Sequence, residues 1–495
     1  MADIRRGKTR DHTELANIGT NTHVEIDTQL DLLNTLRAQG VTWDESADTY
    51  IRTGSLAGQP LAASPDDSLL PIHSAMKRCL LKDDGTLNYY VDGYNREGIS
   101  PFETGTDDVG TASKVSDVGV FTLAAADYVG RYIHNTIDDT YALITAKDSN
   151  DVLSIDANIM ANGEAFEICT AHLGAGVAAI DNPQGQVMVQ IPAFWYKYGY
   201  AGTSHTWEIS LTPLTGFTIH HAFVKNGEIV DYRYIGAYEG SMYDATAVAM
   251  VPPANIVDNL YAAGDILCSL SGEYPKVNET RAEFRGMTDQ RGTGWRQQDY
   301  DLISAVQLLY LIEYASFYSQ SVIGMGRTEL SGGSWVANSY IGQCGKSNVD
   351  GNGTGNIGGN TNTAYMSYRG IENFYGNVYN WVDGININAN VPYVSNVDTD
   401  FADDTATGYT NLGVILVAAN GYQATLEQIS RGFLPASVGG SSSTKITDYY
   451  YQSAGWRVFM LGGYACNSAD AGVFCAALTS ASSYAIVNIG GRLAF

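Results

Sequence analysis

Residues 187–198 run Val187-Met188-Val189-Gln190-Ile191-Pro192-Ala193-Phe194-Trp195-Tyr196-Lys197-Tyr198, an alternation that predicts a half-buried strand. Shorter β-branched or aromatic runs recur at Gly119-Val120-Phe121-Thr122, Tyr132-Ile133-His134, Tyr141-Ala142-Leu143-Ile144-Thr145 and Val152-Leu153-Ser154-Ile155. Asp- and Asn-rich turns separate them, so this stretch reads as a compact all-β unit. After Trp295 the period changes. Leu302, Ala305, Val306, Leu309 and Ile312 form a helical apolar stripe, and Asp299 and Asp301 suit its start, where acids complement free N–H groups. Pro71 to Leu81 predicts one further helix, followed by the turn Asp83-Asp84-Gly85 and a strand at Leu87-Asn88-Tyr89-Tyr90-Val91. Near the start, Ile26, Leu30 and Leu33 repeat at helical spacing up to Gly40. Two heptads are too few for a stable coiled coil. That stripe either packs on its own chain or trimerises within a larger assembly. Residues 345–363 form a Gly/Asn/Thr loop too poor in apolar side chains to join a core.

These patterns divide the chain into four parts: an attachment or oligomerisation helix region (1–40), a mixed connecting region (41–105), a small β-barrel-like module (106–178) and a large domain (179–495) that closes with a distinct segment, 456–495. The fold class is mainly β with some α, an α+β chain. Several domains are expected at a length of 495 residues.

Composition narrows the partners. Hydrophobic residues make up 45% but charged ones only 16%, so Gly, Ser, Thr, Asn and Tyr must build much of the surface. The formal charge of −25 repels phosphate backbones and anionic lipid, and basic residues cluster only at Arg5-Arg6-Gly7-Lys8. Neither nucleic-acid binding nor membrane insertion is expected. No apolar leader opens the sequence and no run is long enough to span a bilayer, so synthesis in the cytoplasm is expected. The six cysteines include no CxxC pair, which points to buried free thiols. Among the eight histidines there is no HExxH, and His220-His221 would face opposite sides of a strand. Neither a nucleophile elbow nor a P-loop occurs. Four acids between Asp398 and Asp404 leave glycoside hydrolysis open.

Two segments carry a resemblance. Glu372-Asn373-Phe374-Tyr375-Gly376-Asn377-Val378-Tyr379-Asn380-Trp381-Val382-Asp383 resembles the G-N-V-W-E-W signature of the formylglycine-generating-enzyme branch of the C-type-lectin fold. Gly294-Trp295-Arg296 before the helix is similar to the corresponding element of sulfatase-modifying-factor-like proteins, and Gln297-Gln298-Asp299-Tyr300 resembles phage tail versions of it. The ending Ile489-Gly490-Gly491-Arg492-Leu493-Ala494-Phe495 looks like the display segment of phage tail proteins that bind host surfaces with this fold. Independently, Val129 to Ile168 resembles a small β-barrel module of tail fibre and baseplate proteins.

The resemblance implies a virion tail protein, non-catalytic, that recognises a bacterial host surface receptor (protein or glycan) and joins other phage tail or baseplate proteins as a homotrimer. It also implies calcium near Asn377, but the position three residues on is Asn380 where the family has an acid, and calcium favours carboxylates. No cofactor is therefore expected. The family's enzymes bind copper through paired cysteines; here the close pair Cys466 and Cys475 lies in the display segment without their flanking pattern, and no catalytic residue is assigned. A formylglycine-generating-type oxidase, a glycan hydrolase and a purely structural tail component remain the alternatives.

In some such proteins a diversity-generating retroelement rewrites the display segment. Adenine-directed mutagenesis of Asn codons leaves mixtures of Tyr, Asp, Ser, Thr, Ala, Ile and Cys. Such a mixture stands at Tyr464, Cys466, Asp470, Cys475, Ala477, Thr479, Ser480, Tyr484 and Ile486, between glycine and alanine positions that look fixed by turns and packing. These nine positions are the candidate ligand-binding residues, expected to be exposed together on one face. Tyrosines there, with the Tyr449-Tyr450-Tyr451 run, offer rigid amphipathic contact area at low entropic cost.

Overall fold

The computed structural model describes residues 37–173, 185–330 and 340–495. The stripe Ile26, Leu30 and Leu33, and with it nearly all of the 1–40 attachment region, lies outside the described residues. The chain is mainly β with a few helices.

A seven-stranded sheet runs in the order Arg296–Gln297, Leu493–Ala494, Tyr232–Gly236, Gln186–Pro192, Lys77–Leu81, Leu87–Asp92, Asn95–Arg96. The strand expected at Val187 is present, but all of Gln186–Pro192 is buried. It is a central strand covered on both faces, with Met188 opposite Cys79 and Val189 opposite Ile235. In a second, five-stranded sheet, Gln39–Asp44 pairs with Ser204–Ser210, placing Val41 opposite Trp207.

Two expectations therefore change. Residues 41–105 are not a connecting region, because their first strands complete sheets of the large domain. Only Pro71–Ser74 of the expected Pro71–Leu81 helix is helical; Lys77–Leu81 is a strand. The run Cys79-Leu80-Leu81 is buried by pairing with Gln186–Pro192, a non-local partner that outweighs local propensity.

The β module is inserted between these strands. Its six strands run in the order Glu103–Thr106, Ala165–Ile168, Tyr132–Asn135, Thr140–Lys147, Val152–Ile155, Lys114–Ser116. The two edge strands meet, Asp108 N donating to Ser116 O at 2.6 Å while the buried Asp107 accepts from Ser116 N at 2.7 Å. A core of its own includes Phe121, Tyr128, Ile133, Leu153 and Phe166. The expected strand at Gly119–Thr122 is instead a turn, and Phe121 fills that core from it.

Tyr300–Tyr314 is the expected helix. Asp299 caps it by accepting from Leu302 N at 3.0 Å, and it ends at Ala315 in the left-handed region (φ 48°). Rather than a stripe, every residue of this helix is buried, so sheets and loops enclose it on all sides. None of the described helices is long and apolar enough to cross a membrane.

Candidate functional site

The Phe374–Asp383 motif opens the central strand of a nine-stranded sheet, Tyr379–Asn388, of which all but the last residue is buried. Gly376 takes a positive φ of 80°, as a tight turn requires. The Asn377 side chain does not cap that turn. It reaches into the interior, donating to Glu239 Oε2 at 2.5 Å and accepting from Gly342 N at 2.7 Å. Trp381 is wholly buried and donates Nε1–H to Glu279 O at 3.1 Å. Trp456–Leu461 pairs on one side of this strand, and Ile489–Gly490 runs parallel to its start, Tyr379 opposite Ile489.

Beyond Trp456–Leu461 lie Ala476–Leu478 and then Tyr449–Gln452. The register sets Trp381, Met460, Ala477 and Tyr451 in one row across four strands, so their side chains share a face. A cleft of about 170 Å³ opens on that face. Met460, Ala477 and Ile489 form its buried floor, and Tyr379 and Tyr451 its walls. Thr479, Ser480, Tyr484, Ile486 and Asn488 complete the lining. No charged side chain lines it, despite the acidic chain around it. The Asn488 Oδ1 atom is buried without a hydrogen-bond partner, an acceptor that a ligand N–H or O–H would satisfy.

A layer of tyrosines surrounds the cleft. Tyr464 packs on Tyr379 with centroids 5.4 Å apart, and Tyr449 bridges Tyr451 (4.5 Å) and Tyr422 (5.1 Å). Asp470 accepts from Tyr451 Oη at 2.6 Å and Tyr422 Oη at 2.7 Å, which locks two rings with one carboxylate. Burial holds the Tyr451 phenol well above its ordinary range, so it stays a donor. Tyr450, expected at the surface with its neighbours, is buried in the core.

Five of the nine candidate positions, Ala477, Thr479, Ser480, Tyr484 and Ile486, line this one cleft. Tyr464 and Asp470 touch its walls from behind. Full exposure does not hold, however. Tyr484 is 45% exposed, but Cys475, Ala477 and Ser480 are only 0, 2 and 8% exposed. The reason is the strand Ala476–Leu478, which enters the middle of the sheet between two neighbours; Ala477 is cleft floor, and Cys475 touches no solvent. Cys466 is half-buried, close enough to Arg327 to feel its charge, and is not among the residues that line the cleft. The fixed glycine frame has a steric basis. A Cβ at Gly472 would fall 2.1 Å from Asp448 Oδ1, and Gly462 (φ 92°) lies against Phe374 O.

All six cysteines are free thiols, and burial pushes the Cys475 thiol well above its usual value, away from the thiolate copper needs. The residues near Asn377 and Asn380 do not fit calcium. Asn380 Oδ1 is a buried, unpartnered oxygen, but it is neutral. The nearby Glu239 carboxylate already accepts from Asn373, Asn377 and Val378 N, and burial raises it to about 7. No group of three or more His, Cys, Asp or Glu side chains suited to a metal occurs among the described residues. The acids from Asp398 to Asp404 serve structure: Asp398 pairs with Arg296, Asp400 accepts from Ser395 Oγ, Asp403 from Thr405 N and Asp404 from Arg281. His220 accepts from Ala222 N to cap a 3-10 turn.

Sequence reasoning missed Tyr379, Met460, Asn488 and Ile489. Tyr379 was within reach, since it shares a strand face with Trp381 two residues on. The others depend on cross-strand register, which has no local signature. No family model and no curated protein sequence matches the chain.

Proposed function

We propose that this chain is a receptor-binding protein of a phage tail, a non-catalytic adhesin with a C-type-lectin-like domain that grips a bacterial surface molecule in the Tyr379/Tyr451/Tyr484 cleft. The observation that carries the reading is convergence. Positions picked out only for their mixed chemistry meet around one uncharged, tyrosine-walled hollow, while the glycines between them hold the backbone. Such a division suits a surface rewritten by a retroelement, in which the lining changes and the frame does not. In this reading the inserted β module and the N-terminal region attach the chain to other tail or baseplate proteins, and the assembled form is a homotrimer on the virion.

The test is attachment of fluorescently labelled protein to a panel of bacterial strains. Tyr484→Ala should lower attachment by ~2 kcal/mol or more, as an aromatic hot spot does. Its folding stability should stay within ~0.5 kcal/mol, because the ring is a surface one. Unchanged attachment by both Tyr484→Ala and Thr479→Trp, which would block the cleft, would sink the proposal. Light scattering on the intact chain checks the trimer; a stable monomer at micromolar concentration counts against it.

A further inference from the structure

We propose, resting on the adhesin reading above, that the molecule gripped in the Tyr379/Tyr451/Tyr484 cleft is a surface protein rather than a glycan. Its anchor is one apolar aromatic side chain of phenylalanine size, which enters the cleft from the receptor.

The floor of the cleft decides between the two classes. Met460, Ala477 and Ile489 are only 3, 2 and 2% exposed, and none carries a side-chain oxygen or nitrogen. A hexose carries hydroxyls around its whole rim, so whichever edge entered first would leave them unpaired against that floor, at roughly a tenfold loss of affinity each. A hydrocarbon ring leaves nothing unpaired there. Charge narrows the occupant further. No charged side chain lines the cleft, and the chain as a whole carries −25, so acidic polysaccharides are repelled. A basic side chain finds no free carboxylate inside, because Asp470 accepts from the Tyr451 and Tyr422 hydroxyls behind the wall.

Size and material favour a ring over a smaller aliphatic group. The hollow measures about 170 Å³. An apolar cavity of ~150 Å³ takes up benzene. The polarizable sulfur of Met460 in the floor adds favourable contact with an aromatic edge. The mouth is built differently. Thr479 and Tyr484 are exposed and bring hydroxyls to it, and Asn488 adds its unpartnered Oδ1. Backbone N–H and C=O groups on either side of an anchoring residue would meet such a rim. Apolar depth within a polar edge is the arrangement by which one aromatic residue carries much of a protein interface. The walls are also fixed in advance, since Asp470 holds Tyr451 and the Tyr464 ring backs Tyr379. A site held in this way loses little entropy when it binds.

Saturation-transfer NMR on the full chain tests the anchor, with N-acetylphenylalaninamide as probe and N-acetylalaninamide and methyl glucoside as controls. Titration at millimolar concentrations should show the phenyl probe binding about tenfold more tightly than either control. Thr479→Trp should abolish the transfer; should that variant melt early by circular dichroism, Thr479→Lys, at the same exposed position, decides instead. Phenyl transfer no stronger than in the controls, or undiminished in the deciding variant, overturns the proposal. The class of receptor is read from attachment of labelled protein to cells treated with protease or with periodate. Attachment should be lost after protease and unchanged after periodate. Attachment that survives protease, or is lost after periodate, overturns the proposal while the adhesin reading stands. Attachment to no untreated strain removes the adhesin reading and with it the surface-protein receptor, and the phenyl probe then decides only whether the cleft takes an aromatic side chain.

Discussion

The strand Tyr379–Asn388 and the segment 464–486 border the same core cluster, but they obey different constraints. Nearly every strand residue is buried, paired on both sides and tied to the interior through Trp381 and Asn377. The later segment is buried at Ala465, over Ala471–Leu478 and at Ser480, while Ser468, Ala469, Thr479, Ala481 and Tyr484 stand in solvent. Stability is therefore concentrated in the first region, and freedom to change chemistry in the second. Both regions contain a strand paired on both sides, but that of the later segment is only Ala-Ala-Leu, three residues against ten.

The contrast breaks most easily at Trp381. Trp381→Ala should cost ~3–5 kcal/mol in urea unfolding, because it opens a cavity and strands the Glu279 carbonyl. A loss below ~1 kcal/mol would mean that the strand is not the frame.

Tyr464 sharpens it. This ring is half-buried against Tyr379 rather than free, so Tyr464→Ala should cost ~0.5–1.5 kcal/mol of stability, between the effects at Trp381 and Tyr484. A melting curve matching that of wild type would return Tyr464 to the class of purely exposed display residues.

The comparison also carries a pH slope. Burial pushes Asp448, which accepts from Phe474 N under the display segment, up to about 8, and Glu239 and Glu273 up to about 7. In the unfolded chain such groups titrate near ~4. Across that window the folded chain keeps protons that the unfolded chain has released, so stability is full below about pH 4 for these groups and is lost as pH rises through 7–8. Asp299, held below its ordinary value by Arg233 and Arg296, and Glu313, held below its own by His73 and Arg369, act oppositely, but only at the acidic end. The melting temperature should therefore fall from about pH 5 to about pH 8.5, and Asp448→Asn should flatten part of that fall. An identical slope in the variant would show that the carboxyl beneath the segment does not titrate with folding.

The sequence by itself determined the features that neighbouring residues decide. The cap at Asp299 and the helix after it, and three of the six strands of the β module, were legible, because capping, alternation and turn chemistry act over a few positions. Five of the nine positions chosen for their mixed chemistry line one cleft, which their spacing in the sequence does not show. Only the tertiary structure decided that residues 39–54 and 77–96 belong to sheets of the large domain, that Cys475 and Tyr450 are core, and that Tyr379, Met460 and Asn488 meet the display segment. Each depends on which strand lies beside which. Shifting register by one residue turns a side chain from one face to the other, and the partner that sets the register stands far off in the chain, as Ala494 does from Ile235.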